Sequence, residues 1–344
     1  MKAIRIHEHG GAHKLRYEEV PQPRLSSPND VIVNLKAAAV NRTDLSVWRG
    51  LRQNGISSPR VLGADGAGVV VEAGQQVVNI HAGDNVCIYP AIGCGTCDFC
   101  LTDQESMCAD SRVLGQQEDG TYAEYVRVPA RNCFKMPSFL SYEEAAAIAV
   151  SYVSAWRMLF TNGALKPGES VMIRGTDGIS VACLQLAAQF GARSFMTARQ
   201  DDDLKKAKTY GAEHAINEKL SDFAKEAREL TGKRGVDIVV DCVGGDGWKK
   251  SLAALAKGGR LVTCGSTAGA KPQSDIRRIF WNHLSIFGST LGDRREFRQV
   301  LAFIESSKLK PVIDRVFSLR DAAAAQRYME EGNEFGKIVL RIAE

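Results

Sequence analysis

The chain has 344 residues, 44% of them hydrophobic and 24% charged, enough apolar material for two domains with separate cores and too much for a disordered chain. Its net charge of +4 is small and dispersed, with charged stretches such as Lys205 to Lys208 interleaved with apolar helix positions, which argues against a nucleic-acid or membrane-binding surface. The start, Met1-Lys2-Ala3-Ile4-Arg5, has no apolar leader and no run is long enough to span a bilayer, so the expectation is a cytoplasmic protein.

In chain order, the first 150 residues read as short strands between Gly/Pro turns: Val31 to Ala38, Gly66 to Glu72, Asn85 to Tyr89 and Tyr122 to Val128. The texture changes at Tyr142 to Ala147, where an Ala-rich helix leads through Pro167-Gly168 into alternating strands and helices. The strands of that region are expected at Ser170 to Arg174, Ser194 to Ala198, His214 to Ile216, Val236 to Cys242, Arg260 to Cys264 and Ser285 to Gly288. This alternation is the signature of a doubly wound parallel sheet. After Gly292 the pattern gives a helix, an extended segment at Pro311, another helix and a closing strand, Lys337 to Ile342, that rejoins the first half.

Three local features carry chemistry. Cys94, Cys97, Cys100 and Cys108 have the spacing of a tetrahedral all-thiolate zinc clamp, which links metal binding to folding and leaves no open coordination position for catalysis. The alternative is four free thiols or two disulfides in an irregular loop. The other five cysteines, Cys87, Cys133, Cys183, Cys242 and Cys264, mostly fall in apolar patterns and read as reduced core residues. The first turn of the parallel region, Gly175-Thr176-Asp177-Gly178-Ile179, runs from a strand straight into a helix, the context in which a glycine turn binds a dinucleotide pyrophosphate. Ser180 replaces the usual third glycine, and Asp177 puts a carboxylate near the phosphates. Arg199 stands at the end of the second strand, where an acidic residue would bond the ribose hydroxyls of NAD; a guanidinium there pairs with a 2′-phosphate and points to NADP(H).

With these features in this order, the chain resembles the medium-chain dehydrogenase/reductase superfamily, the group of zinc alcohol dehydrogenases and quinone oxidoreductases. The matching landmarks are Asn41-Arg42-Thr43-Asp44-Leu45, Leu62-Gly63-Ala64-Asp65-Gly66-Ala67-Gly68, Gly83-Asp84-Asn85-Val86, the clamp, Gly120 to Val126, and the Gly175 turn. The resemblance implies an α/β chain with a GroES-like, β-rich catalytic domain at 1–152 carrying the zinc lobe, a Rossmann cofactor domain at 153–291, and a return to the first domain at 292–344. It also implies homodimers, or tetramers, paired along Ser285 to Thr290. Where the zinc alcohol dehydrogenases hold a catalytic zinc, this sequence has Asn41, Ala64 with Asp65, and Val150.

By the same resemblance, Asn41 bonds cofactor ribose or substrate oxygen, or else stabilises a turn. Thr43 matches a proton-relaying hydroxyl, Ser154 contacts the nicotinamide, and Lys337 is the late basic residue near the pyrophosphate. Asp65 could act as a base or simply bond backbone amides. Trp48, Tyr89 and Trp281 either line the pocket or pack in the core, with Tyr89 the one proton donor among them. The implied activity is NADPH-dependent hydride delivery to an activated small-molecule acceptor, a quinone or α,β-unsaturated carbonyl, without catalytic zinc. Two alternatives stay open: an alcohol dehydrogenase with a reorganised metal site, and an NADPH-binding protein without turnover, for which Asp177 and Ser180 speak.

Overall fold

The computed structural model describes residues 1–51 and 59–342. It is an α/β protein whose chain divides into two compact units, Met1–Val150 with Asp293–Glu344, and Ser151–Gly292. No helix among the described residues is long and apolar enough to cross a membrane.

The first unit is built on a seven-stranded sheet whose central strand is Asp30–Ala39, a near-continuous apolar run buried on both faces. Asp65–Ala73, Tyr125–Pro129 and Lys337–Arg341 all pair antiparallel with it. The registers place Ala39 opposite Asp65 and opposite Val339. The end of the central strand, the start of the second and the beginning of the last strand of the chain therefore meet in one corner. The helix Arg42–Trp48 starts there, with Asn41 and Asp44 closing a reciprocal capping box. Two short strands near the N-terminus, Lys2–Ile6 and Arg16–Glu19, form a separate antiparallel sheet with Arg60–Val61.

The second unit is a six-stranded parallel sheet. Its order is His214–Asn217, Arg193–Ala198, Ser170–Arg174, Val236–Asp241, Leu255–Thr263, Ser285–Gly288. The inner strand Ser170–Arg174 is wholly buried, as a strand covered by helices on both faces must be. Strand order reverses beside it, so the carboxyl ends of Ser170–Arg174 and Val236–Asp241 border the crevice where doubly wound sheets take their ligands.

Candidate functional site

The cysteine lobe is a loop from which all four thiols converge: the Sγ atoms of Cys94, Cys97, Cys100 and Cys108 lie within 4.8 Å of one another, with Cys94 and Cys100 3.8 Å apart. Tetrahedral zinc–thiolate bonds of about 2.3 Å require sulfur edges of roughly 3.8 Å, so the donor set fits zinc. The amides of Thr96 and Cys97 both donate to Cys94 Sγ at 3.4 Å, and the amide of Cys94 donates to Cys108 Sγ at 3.5 Å. The Thr96 amide contributes most to holding the Cys94 thiol down to about 6, while burial pushes Cys100 up to about 12. All nine cysteines are free thiols, so the two-disulfide alternative is not what the chain adopts. The lobe is tied to the returning segment: buried Glu105 accepts from Arg294 Nε at 2.7 Å and from its amide at 2.8 Å, and Asp293 accepts from the Ser106 amide at 2.8 Å.

In the corner of the first unit, buried Asp65 accepts three kinds of donor. The Val150 amide reaches Oδ1 at 2.8 Å, while Asn41 Nδ2 and Lys337 Nζ both reach Oδ2 at 2.9 Å. The structure thus gathers positions 41, 65 and 150 as the sequence landmarks imply, but around an ammonium. Lys337 spends its other two N–H bonds on Asn41 Oδ1 at 2.8 Å and Val40 O at 3.0 Å and is 3% exposed. This corrects the expectation for Lys337: with all three donors engaged inside the corner, none remains for a pyrophosphate. Asn41 is corrected likewise, because its amide group bonds Asp65, Lys337 and Ala39 O and caps the helix. Tyr89 has no exposed surface and packs its ring 5.9 Å from Phe297, a core position in place of the expected proton donor. Thr43 is half-exposed on the first turn of Arg42–Trp48, and its hydroxyl has no hydrogen bond among the described residues. Trp48 is buried and donates to Gln326 Oε1 at 3.2 Å. Residues 52–58, which follow the helix Arg42–Trp48, lie outside the described residues.

Asp44 is the residue in this corner that sequence reasoning left without a role. Its Oδ2 accepts from the Tyr122 hydroxyl at 2.7 Å and the Asn41 amide at 2.9 Å. Burial nevertheless raises its carboxyl to about 6, outweighing both hydrogen bonds. The signal was present: Asn41 and Asp44 have capping-box spacing.

In the second unit, residues 175–179 form a continuous half-buried rim at the end of the strand Ser170–Arg174. Gly175 has φ +89°, a conformation that a side chain would strain, and its amide donates to Thr197 Oγ1 at 3.2 Å. Asp177 caps the helix Gly178–Gln189, accepting from the Ser180 amide at 3.0 Å. Its carboxylate therefore serves the helix end it was expected to crowd. Ser180 is buried and donates to Arg174 O at 2.9 Å, stitching helix to strand where a third glycine would give only close contact. Beneath the rim, Arg174 Nη1 pairs with both oxygens of buried Asp241 at 3.0 and 2.9 Å. Arg199 is exposed beyond Arg193–Ala198, its Nε on Glu218 Oε1 at 2.8 Å and its terminal nitrogens without a hydrogen bond among the described residues. Ser154 is buried in the helix Ala149–Trp156, and Trp281 is 70% exposed.

Comparisons with known proteins agree with this two-unit fold. Residues 27–138 match the alcohol dehydrogenase GroES-like domain, and residues 178–306 match the zinc-binding dehydrogenase domain. A zinc-type alcohol dehydrogenase-like protein of Schizosaccharomyces pombe is 33% identical over 97% of each chain. An NAD-dependent alcohol dehydrogenase of Sulfolobus acidocaldarius is 35% identical over 99% of this chain and 100% of its own length. A crystal structure of an NAD-dependent alcohol dehydrogenase superposes with a TM-score of 0.96 at 39% identity, covering 100% of both chains. The GroES-like unit with its cysteine lobe, the dinucleotide-type sheet and these full-length relatives together establish that the chain belongs to the medium-chain dehydrogenase/reductase superfamily of oxidoreductases.

Proposed function

We propose that the protein takes NADPH and reduces an already electrophilic acceptor, a quinone or α,β-unsaturated carbonyl, without a catalytic metal. The observation that carries this reading is the Asn41–Asp65–Lys337 corner. Ala64 and Val150 have no ligating side-chain atoms, and the two oxygen-bearing side chains, Asn41 and Asp65, already hold the Lys337 ammonium at 2.8 and 2.9 Å. A divalent cation brought there would have to displace a buried cation or stand beside it, so the donor set does not fit a second zinc.

The second unit fits a nicotinamide dinucleotide. The half-buried rim at 175–179 joins the carboxyl end of Ser170–Arg174 to the N-terminus of the twelve-residue helix Gly178–Gln189, the place where such sheets take a pyrophosphate, and the terminal nitrogens of Arg199 are open to a 2′-phosphate. A bound reduced nicotinamide supplies the hydride. The chain's part is to hold the cofactor, and Thr43, half-exposed and with no hydrogen bond on its hydroxyl among the described residues, is proposed as a proton donor to an acceptor oxygen. The names of the relatives favour a second reading, NAD-linked alcohol oxidation.

One experiment separates them. The purified protein is assayed with NADPH and NADH against a quinone and enone panel, and with NAD+ and NADP+ against alcohols, before and after chelator treatment, alongside metal analysis. The proposal expects one zinc per chain and chelator-resistant NADPH oxidation. Two zincs per chain with chelator-sensitive alcohol oxidation would overturn it.

A further inference from the structure

Two of the cysteines assigned to the core turn out to face one another. Cys242 and Cys264 follow directly on the paired residues Asp241 and Thr263 of adjacent parallel strands, and their sulfurs are 3.3 Å apart. The Cys264 amide donates to Asp241 O at 3.4 Å, so the ladder reaches this level. Adjacent strands lie about 4.8 Å apart, inside the window of roughly 4.4–6.8 Å that a disulfide demands between its Cα atoms. The segments are also closely apposed: a Cβ on Gly265 would meet Cys242 O at 2.4 Å.

We propose that Cys242 and Cys264 are a modification site, a dithiol that hydrogen peroxide converts to a disulfide and that, once closed, weakens nucleotide binding in the crevice of the second unit. The binding half rests on the nicotinamide reading given above. Cys264 is partly exposed and Cys242 is buried, so the oxidant meets Cys264 first. The hydrogen bond with the Cys264 sulfur, followed by burial, raises the Cys242 thiol well above the usual thiol range, and the more accessible Cys264 is the attacking sulfur. Buried Cys183 and the Asp177 carboxylate face the pair from the helix side and act in the same direction on Cys242.

The Cys264 thiolate attacks one peroxide oxygen, giving a sulfenic acid and hydroxide. The Cys242 thiol then loses its proton and attacks the Cys264 sulfur, and hydroxide leaves. Two thiols and one peroxide thus yield one disulfide and two waters, with two electrons passed to peroxide. Residues next to the pair transmit the change. Val243 Cγ2 stands 3.5 Å from where a Cβ on Gly175 would be, so it forms the wall of the phosphate turn. Its carbonyl accepts from the Ala268 amide at 2.9 Å, and its amide donates to Asp241, the carboxylate that holds Arg174 under that turn. Drawing the sulfurs to bonding distance moves this wall.

The test treats zinc-loaded, full-length protein with hydrogen peroxide, blocks remaining thiols, digests with trypsin without reduction, and in parallel titrates NADPH. The expected product joins the peptide Gly235–Lys249 to Leu261–Arg277. It forms more slowly when NADPH is saturating, and the oxidised protein binds NADPH about tenfold more weakly until dithiothreitol restores it. Cys264→Ser is expected to give no joined peptide and no peroxide-dependent loss of affinity. Absence of the joined peptide, an unchanged affinity once it has formed, or an equal loss in Cys264→Ser would each overturn the proposal. If the reduced protein binds neither NADPH nor NADH, the functional reading falls together with the binding half of this one, while the joined peptide still decides whether the dithiol exists.

Discussion

The Asp44 carboxyl is buried among groups of the first unit, and removing its ionised form from water costs more than the Tyr122 hydroxyl and Asn41 amide return. Its native value near 6 exceeds the ordinary aspartate value, so the folded state holds this proton more tightly than the unfolded state. The stability this residue contributes is fully present below about pH 4 and is lost as pH rises to about 6, an effect of up to about 3 kcal/mol. Asp44→Asn, which keeps an acceptor for both donors, is expected to flatten the pH dependence of urea unfolding across that window. An identical slope in wild type and variant would contradict the assignment.

Arg199 carries a different expectation. Arg199→Asp is expected to weaken NADPH by about 2 kcal/mol, near thirtyfold, with NADH little changed, because a charge-assisted pair to the 2′-phosphate becomes a repulsion. Competition titration of the two nucleotides reads this directly, and unchanged discrimination would exclude the role. At this scale, residue type was legible in the sequence and partners were not. Asn41 and Lys337 lie 296 positions apart, and nothing in either local pattern shows that one binds the other; only the pairing of Lys337–Arg341 against Asp30–Ala39 brings them together.

Among elements, the corner of the first unit holds through its compensated charges. Lys337→Met leaves Asp65 buried with two neutral donors, and the expected cost is about 3–5 kcal/mol in urea unfolding. Adding Asp65→Asn is expected to return much of that loss, since the uncompensated charge is then gone. A double variant no more stable than Lys337→Met would show that the pair does not act through its charges. Periodicity located Ser170–Arg174 and Ser285–Gly288 at their observed bounds, because a buried parallel strand is a bare apolar run and an edge strand is set off by its turns. It missed Lys2–Ile6 and Arg16–Glu19, where alternation is broken by charged residues on both faces, and it read Ile313–Ser318 only as extended. The cysteine lobe was legible because four ligands within fifteen residues leave the fold little choice.

For the whole molecule, the edge strand Ser285–Gly288 is exposed along its length, with Ile286 39% and Phe287 37% accessible, and Phe280 and Trp281 stand open on the preceding helix at 61% and 70%. An apolar edge of this kind requires cover, and the proposal is a second copy paired edge to edge. Light scattering is expected to give twice the chain mass or more. Phe287→Lys is expected to shift the protein toward the monomer without loss of far-ultraviolet ellipticity. A monomeric wild type would remove the assembly from the account.

The strand Lys337–Arg341 lies inside the large sheet of the first unit, between Asp30–Ala39 and Ile313–Ser318, although it is the last strand of the chain. During synthesis, residues 151–292 can therefore reach their own fold while the unit begun before them still lacks an interior rung. The unit begun ahead of residues 151–292 is completed after them, and until the ribosome delivers Lys337–Arg341 it must wait with its central sheet open and its Asp65 carboxylate lacking a counter-ion.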